Sequence, residues 1–404
     1  MKVVFALNAF KESLTALDAC RAVAKGFSRG CPEAEPVIFP VADGGDGTAE
    51  ALVAATSGRM VSRKVCGPLG APVRACYGIL GDGQMAIVEM AKASGLALVP
   101  PHRRNPLKTT TYGTGELIAD AVKRGVRRVI VGLGGSATVD MAMGMAQALG
   151  ARLLDRRGQP VGRGGGAMAE LARIDLSELR AHWAGVEIVA ATDVTNPLVG
   201  PHGGIRVYSP QKGATPAMVR RLEAGARNVA RIIKRDLGVG VASVPGAGAA
   251  GGFGAGIIAW LGGCLQPGIE VILDVADFAA ALEGAALVIT GEGRIDDQTV
   301  FGKAPAGVAR RAKAAGIPCI AVAGSIELRK SRVGQVGNLS QTSPDKAGRL
   351  GSLSQIGLDA VFSICNRPMS LDEAIRNARP LAEQCGEQIG RFWRAARRSQ
   401  DPLR

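Results

Sequence analysis

Aromatic side chains are scarce: Phe, Trp and Tyr make up 4% of the 404 residues, too few for an obvious base-stacking platform, so nucleic acid is not an expected partner. Histidine is scarcer still. His102, His182 and His202 stand apart from any serine or cysteine nucleophile motif and lack helical metal-ligand spacing, which leaves a hydrolytic triad unsupported. The eight cysteines include no Cys-x-x-Cys pair and no short Cys/His cluster. That spacing argues against a disulfide scaffold or structural zinc and for reduced thiols in the cytoplasm. The opening MKVVFALNAFKESL has no long apolar run and reaches Lys11 and Glu12 early, so it reads as a strand and not as a signal peptide. The uncharged stretch Leu237 to Ile269 is broken by many glycines, Pro245, Gln266 and Pro267, which argues against a membrane span. No fixed-period repeat is present.

What is abundant is glycine, 56 residues clustered between apolar runs, as tight turns and ligand-cradling loops require. The length favours two domains. The formal net charge of +14 is spread widely, with one concentration from Arg391 to Arg404 that reads as the solvated face of a terminal helix. A positive field of this kind suits small anionic substrates.

Apolar runs alternate with helical patterns. Lys2 to Leu7 reads as a strand and Ser13 to Phe27 as a helix; Val37 to Val41 is a second strand, followed by a helix over Ala49 to Ser57. Further strands are expected at Arg128 to Leu133, Val186 to Ala191, Leu287 to Thr290 and Pro318 to Ala323, with a helix over Glu116 to Lys123. The class is therefore α/β. Between Gly58 and Val88 short alternating segments signal entry into another domain, and the polar run Leu328 to Ser354 reads as a surface insertion.

Three segments share a design in which a short apolar strand delivers a carboxylate: Ala42-Asp43-Gly44-Gly45-Asp46-Gly47-Thr48, Ala191-Thr192-Asp193-Val194 and Thr290-Gly291-Glu292-Gly293-Arg294-Ile295-Asp296. Carboxylates at strand ends suit Mg²⁺, which takes a few oxygen ligands and leaves the rest to water and phosphate. Helix capping is the plain alternative for each. Phosphoryl transfer also needs positive charge, for which Lys11, Lys212, Arg294 and Lys303 stand beside expected loops. Gly134-Gly135-Ser136-Ala137-Thr138 follows a strand and is expected to open a helix, offering backbone N–H groups and hydroxyls to an anion. Gly302-Lys303 fails as a Walker A loop, because Asp297 occupies its first glycine position and Ala304 follows the lysine. Gly246-Ala247-Gly248-Ala249-Ala250-Gly251 does match G-x-G-x-x-G, with Val239 to Val244 before it and Glu270 after. It therefore offers a nicotinamide-dependent oxidoreductase as an alternative, and close helix packing on small residues as a structural one.

The ordered set Asn8 to Leu14, Ala42 to Thr48, Thr111 to Gly115, Gly134 to Thr138, Asp193 to Leu198, Pro210 to Ala214, Gly246 to Gly252 and Gly291 to Asp296 resembles the bacterial glycerate kinase family, from residue 1 to about 390. The resemblance implies an ATP- and Mg²⁺-dependent kinase acting on glycerate or a similar hydroxy acid, commonly making 2-phosphoglycerate. It also implies two α/β domains with the site in the cleft between them. One is a flavodoxin-like parallel-sheet domain from 1–65 and 285–395; the other is an inserted, restriction-enzyme-like domain over 66–284. Asp193, Lys11 and Asp43 are the expected catalytic residues, and Asp43, Asp193 and Asp296 the expected metal ligands. Gly134, Gly135, Ser136, Thr138, Lys212, Glu292, Arg294 and Lys303 are expected at the nucleotide and anion. The chain departs from the family pattern at Asn8, where Asp is usual, and at Val139-Asp140-Met141-Ala142, where Asn-Asp-Gly-Gly is usual. A non-catalytic binding relative is the remaining alternative. Oligomeric state is not legible in the sequence.

Overall fold

A computed structural model describes residues 1–42, 47–296, 304–327 and 356–398. Asp43, Lys303 and the insertion expected over 328–354 lie outside the described residues. The chain divides into two compact units, Met1–Ala42 with Ile272–Arg404, and Asp43–Val271.

The first unit is built on a five-stranded parallel sheet. Its strands are β1 (Lys2–Leu7), β2 (Glu35–Ile38), β11 (Ala285–Asp296), β12 (Cys319–Glu327) and β13 (Ala360–Ser363), in the order β13-β12-β11-β1-β2. Val3 to Leu7 are fully buried, as a strand covered on both faces must be, which is why β1 reads as an unbroken apolar run. The strand order reverses direction between β1 and β11, the place where open α/β sheets leave a crevice at their carboxyl ends.

Helix Ala16–Gly30 is started by Thr15, whose hydroxyl accepts from the Asp18 amide at 3.1 Å, and it packs on the terminal helix Ala378–Arg398. The two backbones nearly touch. A Cβ on Gly26 would lie 1.8 Å from the Glu383 carbonyl oxygen, and one on Gly386 would lie 2.2 Å from that of Val23. Lys25 and Arg29 flank this seam with ion pairs to Glu383 and Glu387 at 3.1 Å.

The second unit carries a six-stranded mixed sheet of β3 (Arg59–Cys66), β4 (Pro72–Ile79), β5 (Met85–Glu89), β6 (Arg128–Gly132), β9 (Glu187–Ala191) and β10 (Cys264–Gln266), ordered β10-β9-β6-β5-β4-β3. Strands β10, β9, β6 and β5 run parallel, and β4 and β3 extend the sheet antiparallel. A separate ribbon pairs β7 (Arg152–Leu154) with β8 (Arg173–Asp175).

Several sequence expectations change here. The first unit gives way at 42/43 instead of 65/66, because β3 pairs along its whole length with β4 in the second sheet, and it resumes at Ile272 instead of 285. The strand expected at Leu287 to Thr290 continues to Asp296, since β12 pairs with it as far as Glu327. The Glu292 and Arg294 segment is therefore strand, not loop. Val239 to Val244 forms no strand. Nor does Thr138 open a helix; the next one, Met143–Ala148, starts later and is short. Among the described residues no helix is long and apolar enough to cross a membrane.

Candidate functional site

In the first unit, chemistry collects where β1 and β11 end. Leu7 pairs with Gly291, and the Asn8 amide donates to the Gly291 carbonyl at 2.8 Å. Lys11 sits exposed in the turn that follows, closed by reciprocal 2.9 Å backbone bonds between Phe10 and Leu14. Gly293 lets that turn approach, since a Cβ there would stand 3.3 Å from the Lys11 nitrogen. Glu292 is buried beside it at 8% exposure. Arg294 points its charge elsewhere: it pairs with Glu327 at 2.6 Å across the strands and with Asp296 at 3.6 Å. Asp296, expected as a metal ligand, is thus also an ion-pair partner of Arg294.

In the second unit, β5, β6 and β9 run in register, Glu89 opposite Gly132 and Gly132 opposite Ala191. Three neighbouring strands therefore deliver Glu89, the Gly134 to Thr138 loop and Asp193 to one edge of the sheet. The Asp193 side chain is exposed, and its Oδ1 accepts from the Gly268 amide at 3.0 Å. Glu89 is buried; its Oε1 accepts from the Ala49 amide at 2.8 Å and its Oε2 lies 3.3 Å from the Lys92 ammonium. Burial pushes its carboxyl above the usual range, against the Ala49 amide and the Lys92 charge. Glu89 was missed by sequence reasoning, although the signal existed: it too is a carboxylate closing an apolar strand, without a glycine to draw notice.

The Gly134 to Thr138 loop is pinned rather than open. Gly135 accepts from the Leu96 amide at 2.8 Å, the Ala137 amide donates to Ser94 at 2.9 Å, and the Thr109 hydroxyl donates to the Ala137 carbonyl at 2.8 Å. Gly134 and Gly135 are exposed, while Ser136 and Thr138 are buried. Lys212 was expected beside a loop, free to meet an anion. It lies instead at 2% exposure, donating to Ser136 Oγ at 2.7 Å and to the Thr138 carbonyl at 2.8 Å. Burial pulls its pKa down to about 7, opposed by the charge of Asp140.

Asp140 itself accepts at Oδ2 from the Thr111 amide and hydroxyl, both at 2.9 Å, and burial raises its carboxyl against those bonds. Met141 and Ala142, which stand where the family pattern has glycines, take φ of 50° and 56°. That left-handed backbone costs a side-chain-bearing residue about 1–2 kcal/mol.

The G-x-G-x-x-G segment serves packing. Gly251, at φ 69°, lies so close to the Thr138 loop that a Cβ would be 2.1 Å from the Thr138 carbonyl oxygen, and its own carbonyl accepts from the Met141 amide at 3.2 Å. With no strand before it and its backbone committed to this loop, the dinucleotide reading loses its structural context. None of the eight cysteines is bridged. Among the described residues no group of three or more His, Cys, Asp or Glu is placed to hold a metal.

The model of the glycerate kinase family matches residues 3–347. The chain is 49% identical over 387 residues to a glycerate kinase of Halalkalibacterium halodurans, covering 96% of this chain and 97% of the relative. It is 46% identical over 378 residues to a glycerate 2-kinase of Escherichia coli, covering 94% of each. A crystal structure of a Salmonella typhimurium protein superposes with a TM-score of 0.85 at 45% identity, covering 98% of this chain and 99% of that one. The chain belongs to the glycerate kinase family.

Proposed function

We propose that the chain transfers the γ-phosphoryl group of ATP, supplied as its Mg²⁺ complex, to glycerate and yields 2-phosphoglycerate. The observation that carries this reading is the in-register delivery of Glu89, the Ser136 loop and Asp193 to one sheet edge, in a chain similar along its length to a protein named glycerate 2-kinase. An acid at such an edge can accept the proton of a substrate hydroxyl or hold Mg²⁺, and neighbouring hydroxyls can orient an anion.

In this reading Asp193 is the base or a metal ligand, with Asp43 and Asp296 as further ligands. Mg²⁺ usually takes one or two carboxylates and completes its shell with phosphate and water, so it asks for few acids from the protein. The metal would neutralise charge on the transferred group. Lys11, Glu292, Gly134, Gly135, Ser136, Thr138 and Lys303 are assigned to nucleotide and substrate contacts, Lys212 to the support of the Ser136 loop, and Arg294 to holding Glu327 and Asp296. Counted along its own strands, the first sheet has the order 2-1-3-4-5, which supports the flavodoxin-like reading of that unit; the second unit is read as the restriction-enzyme-like domain.

The test is ADP release over a panel of hydroxy acids with and without Mg²⁺, with phosphorus NMR of the product. ADP formation with glycerate and a phosphate on C2 are expected. A C3 product overturns the regiochemistry, and no ADP with any acid overturns the kinase reading.

A further inference from the structure

Lys212 and Ser136 are 76 positions apart in the sequence and share a buried 2.7 Å hydrogen bond. The ammonium spends a second proton on the Thr138 carbonyl at 2.8 Å. A buried ammonium demands a counter-charge, and the charge that acts on it is that of Asp140. Asp140 is in turn fixed by the Thr111 amide and hydroxyl and, at 3.4 Å, by the Gly144 amide. Thr111 Oγ1 also accepts from the Met145 amide at 2.9 Å. Asp140 Oδ1 and Thr138 Oγ1 are buried with no hydrogen-bond partner among the described residues, and the Ser136 hydroxyl differs from them in lying next to an exposed stretch of loop.

A serine hydroxyl has one proton and two lone pairs. Because Ser136 Oγ accepts from Lys212, its own proton must go to some other acceptor, and among the described residues none takes it. The neighbouring Gly134 and Gly135 are exposed while Ser136 keeps 7% of its surface, so this hydroxyl sits just beneath the exposed part of the pinned loop. While Lys212 holds its proton, an ammonium behind a hydroxyl also strengthens it as a donor, since hydrogen bonds in a chain polarise one another.

We infer that Lys212 is a positioning residue acting through Ser136: with Asp140 as its counter-charge, it fixes the Ser136 hydroxyl as a donor to an anionic oxygen of the hydroxy-acid substrate. This rests on the kinase reading above. It makes Ser136 the group in contact with substrate, and Lys212 and Asp140 the support behind it.

The experiment is a double-mutant cycle of Ser136→Ala, Lys212→Met and the double variant, with KM for glycerate, KM for ATP, kcat and Tm measured for each. A hydrogen bond to a charged group contributes about 1.5–3 kcal/mol, so Ser136→Ala should raise KM for glycerate about 10-fold or more while KM for ATP stays within about twofold. Lys212→Met should raise it similarly, and the double variant should be no worse than the weaker single, because both remove one donor. Asp140→Asn should shift KM for glycerate in the same direction. Effects that multiply in the double variant, or a lowered Tm with unchanged KM for glycerate, overturn the inference. Should Lys212→Met not fold, Ser136→Ala decides alone, and an unchanged KM for glycerate overturns it. A wild-type enzyme that phosphorylates a different hydroxy acid changes the substrate reading only, and the cycle is then read on that acid.

Discussion

The Asp193 carboxylate accepts a 3.0 Å hydrogen bond from the Gly268 amide, which ties the end of β9 to the residues just beyond β10. Asparagine keeps an oxygen for that bond and loses only the charge and basicity. Asp193→Asn should therefore leave Tm nearly unchanged while lowering kcat about 10²-fold or more, the usual contribution of a general base. Steady-state kinetics beside a melting curve checks both halves, and near-normal kcat would remove Asp193 from the mechanism.

Lys11 is exposed in the turn after β1 and lies against Gly293, next to Glu292. If it meets charge that develops on the transferred phosphoryl group, its loss acts on the transition state more than on the ground state. Lys11→Met should lower kcat about 10²-fold with smaller changes in either KM. A variant with wild-type kcat and KM for both substrates would make Lys11 an ordinary surface charge.

Lys212 has its pKa lowered from 10.5 to about 7 by burial. Below about pH 7 both folded and unfolded chains hold the proton, and the full cost of the buried charge is present. Between about pH 7 and 10 the unfolded chain still holds the proton that the folded one has released, so wild-type stability should rise with pH relative to Lys212→Met. Urea midpoints of the two proteins across pH 6 to 10 read this difference, and a flat difference would contradict an ammonium buried in the fold.

The seam between helices Ala16–Gly30 and Ala378–Arg398 has no room for a side chain at Gly26, where a Cβ would meet the Glu383 carbonyl at 1.8 Å. Gly26→Val should separate the helices and destabilise the protein by about 1–3 kcal/mol or more, seen as a lower Tm. Lys25→Ala, which removes only a 3.1 Å pair from a largely exposed lysine, should change Tm little.

Much of the frame was legible because it rests on local pattern. Strands β1, β6 and β9 are short apolar runs, and helix Ala16–Gly30 carries an apolar stripe of Ala19, Val23 and Phe27, so burial and periodicity suffice to find them. Asp193 was legible for the same reason, as the polar residue that follows an apolar strand.

The sequence by itself determined the α/β class, the motifs that carry the family and the place of Asp193 just after an apolar strand, since each of these depends on neighbours within a few residues. Only the tertiary structure decided that Glu292 and Arg294 lie within a strand, because the pairing that extends β11 to Asp296 comes from β12. The same is true of β3, which joins the second sheet through β4, and of Glu89, which gains its meaning from Ala49 and Lys92. Lys212 is the clearest case. By composition a lysine belongs in water, and it is buried here because Ser136, Thr138 and Asp140, distant in sequence, supply the acceptors and the counter-charge that burial requires.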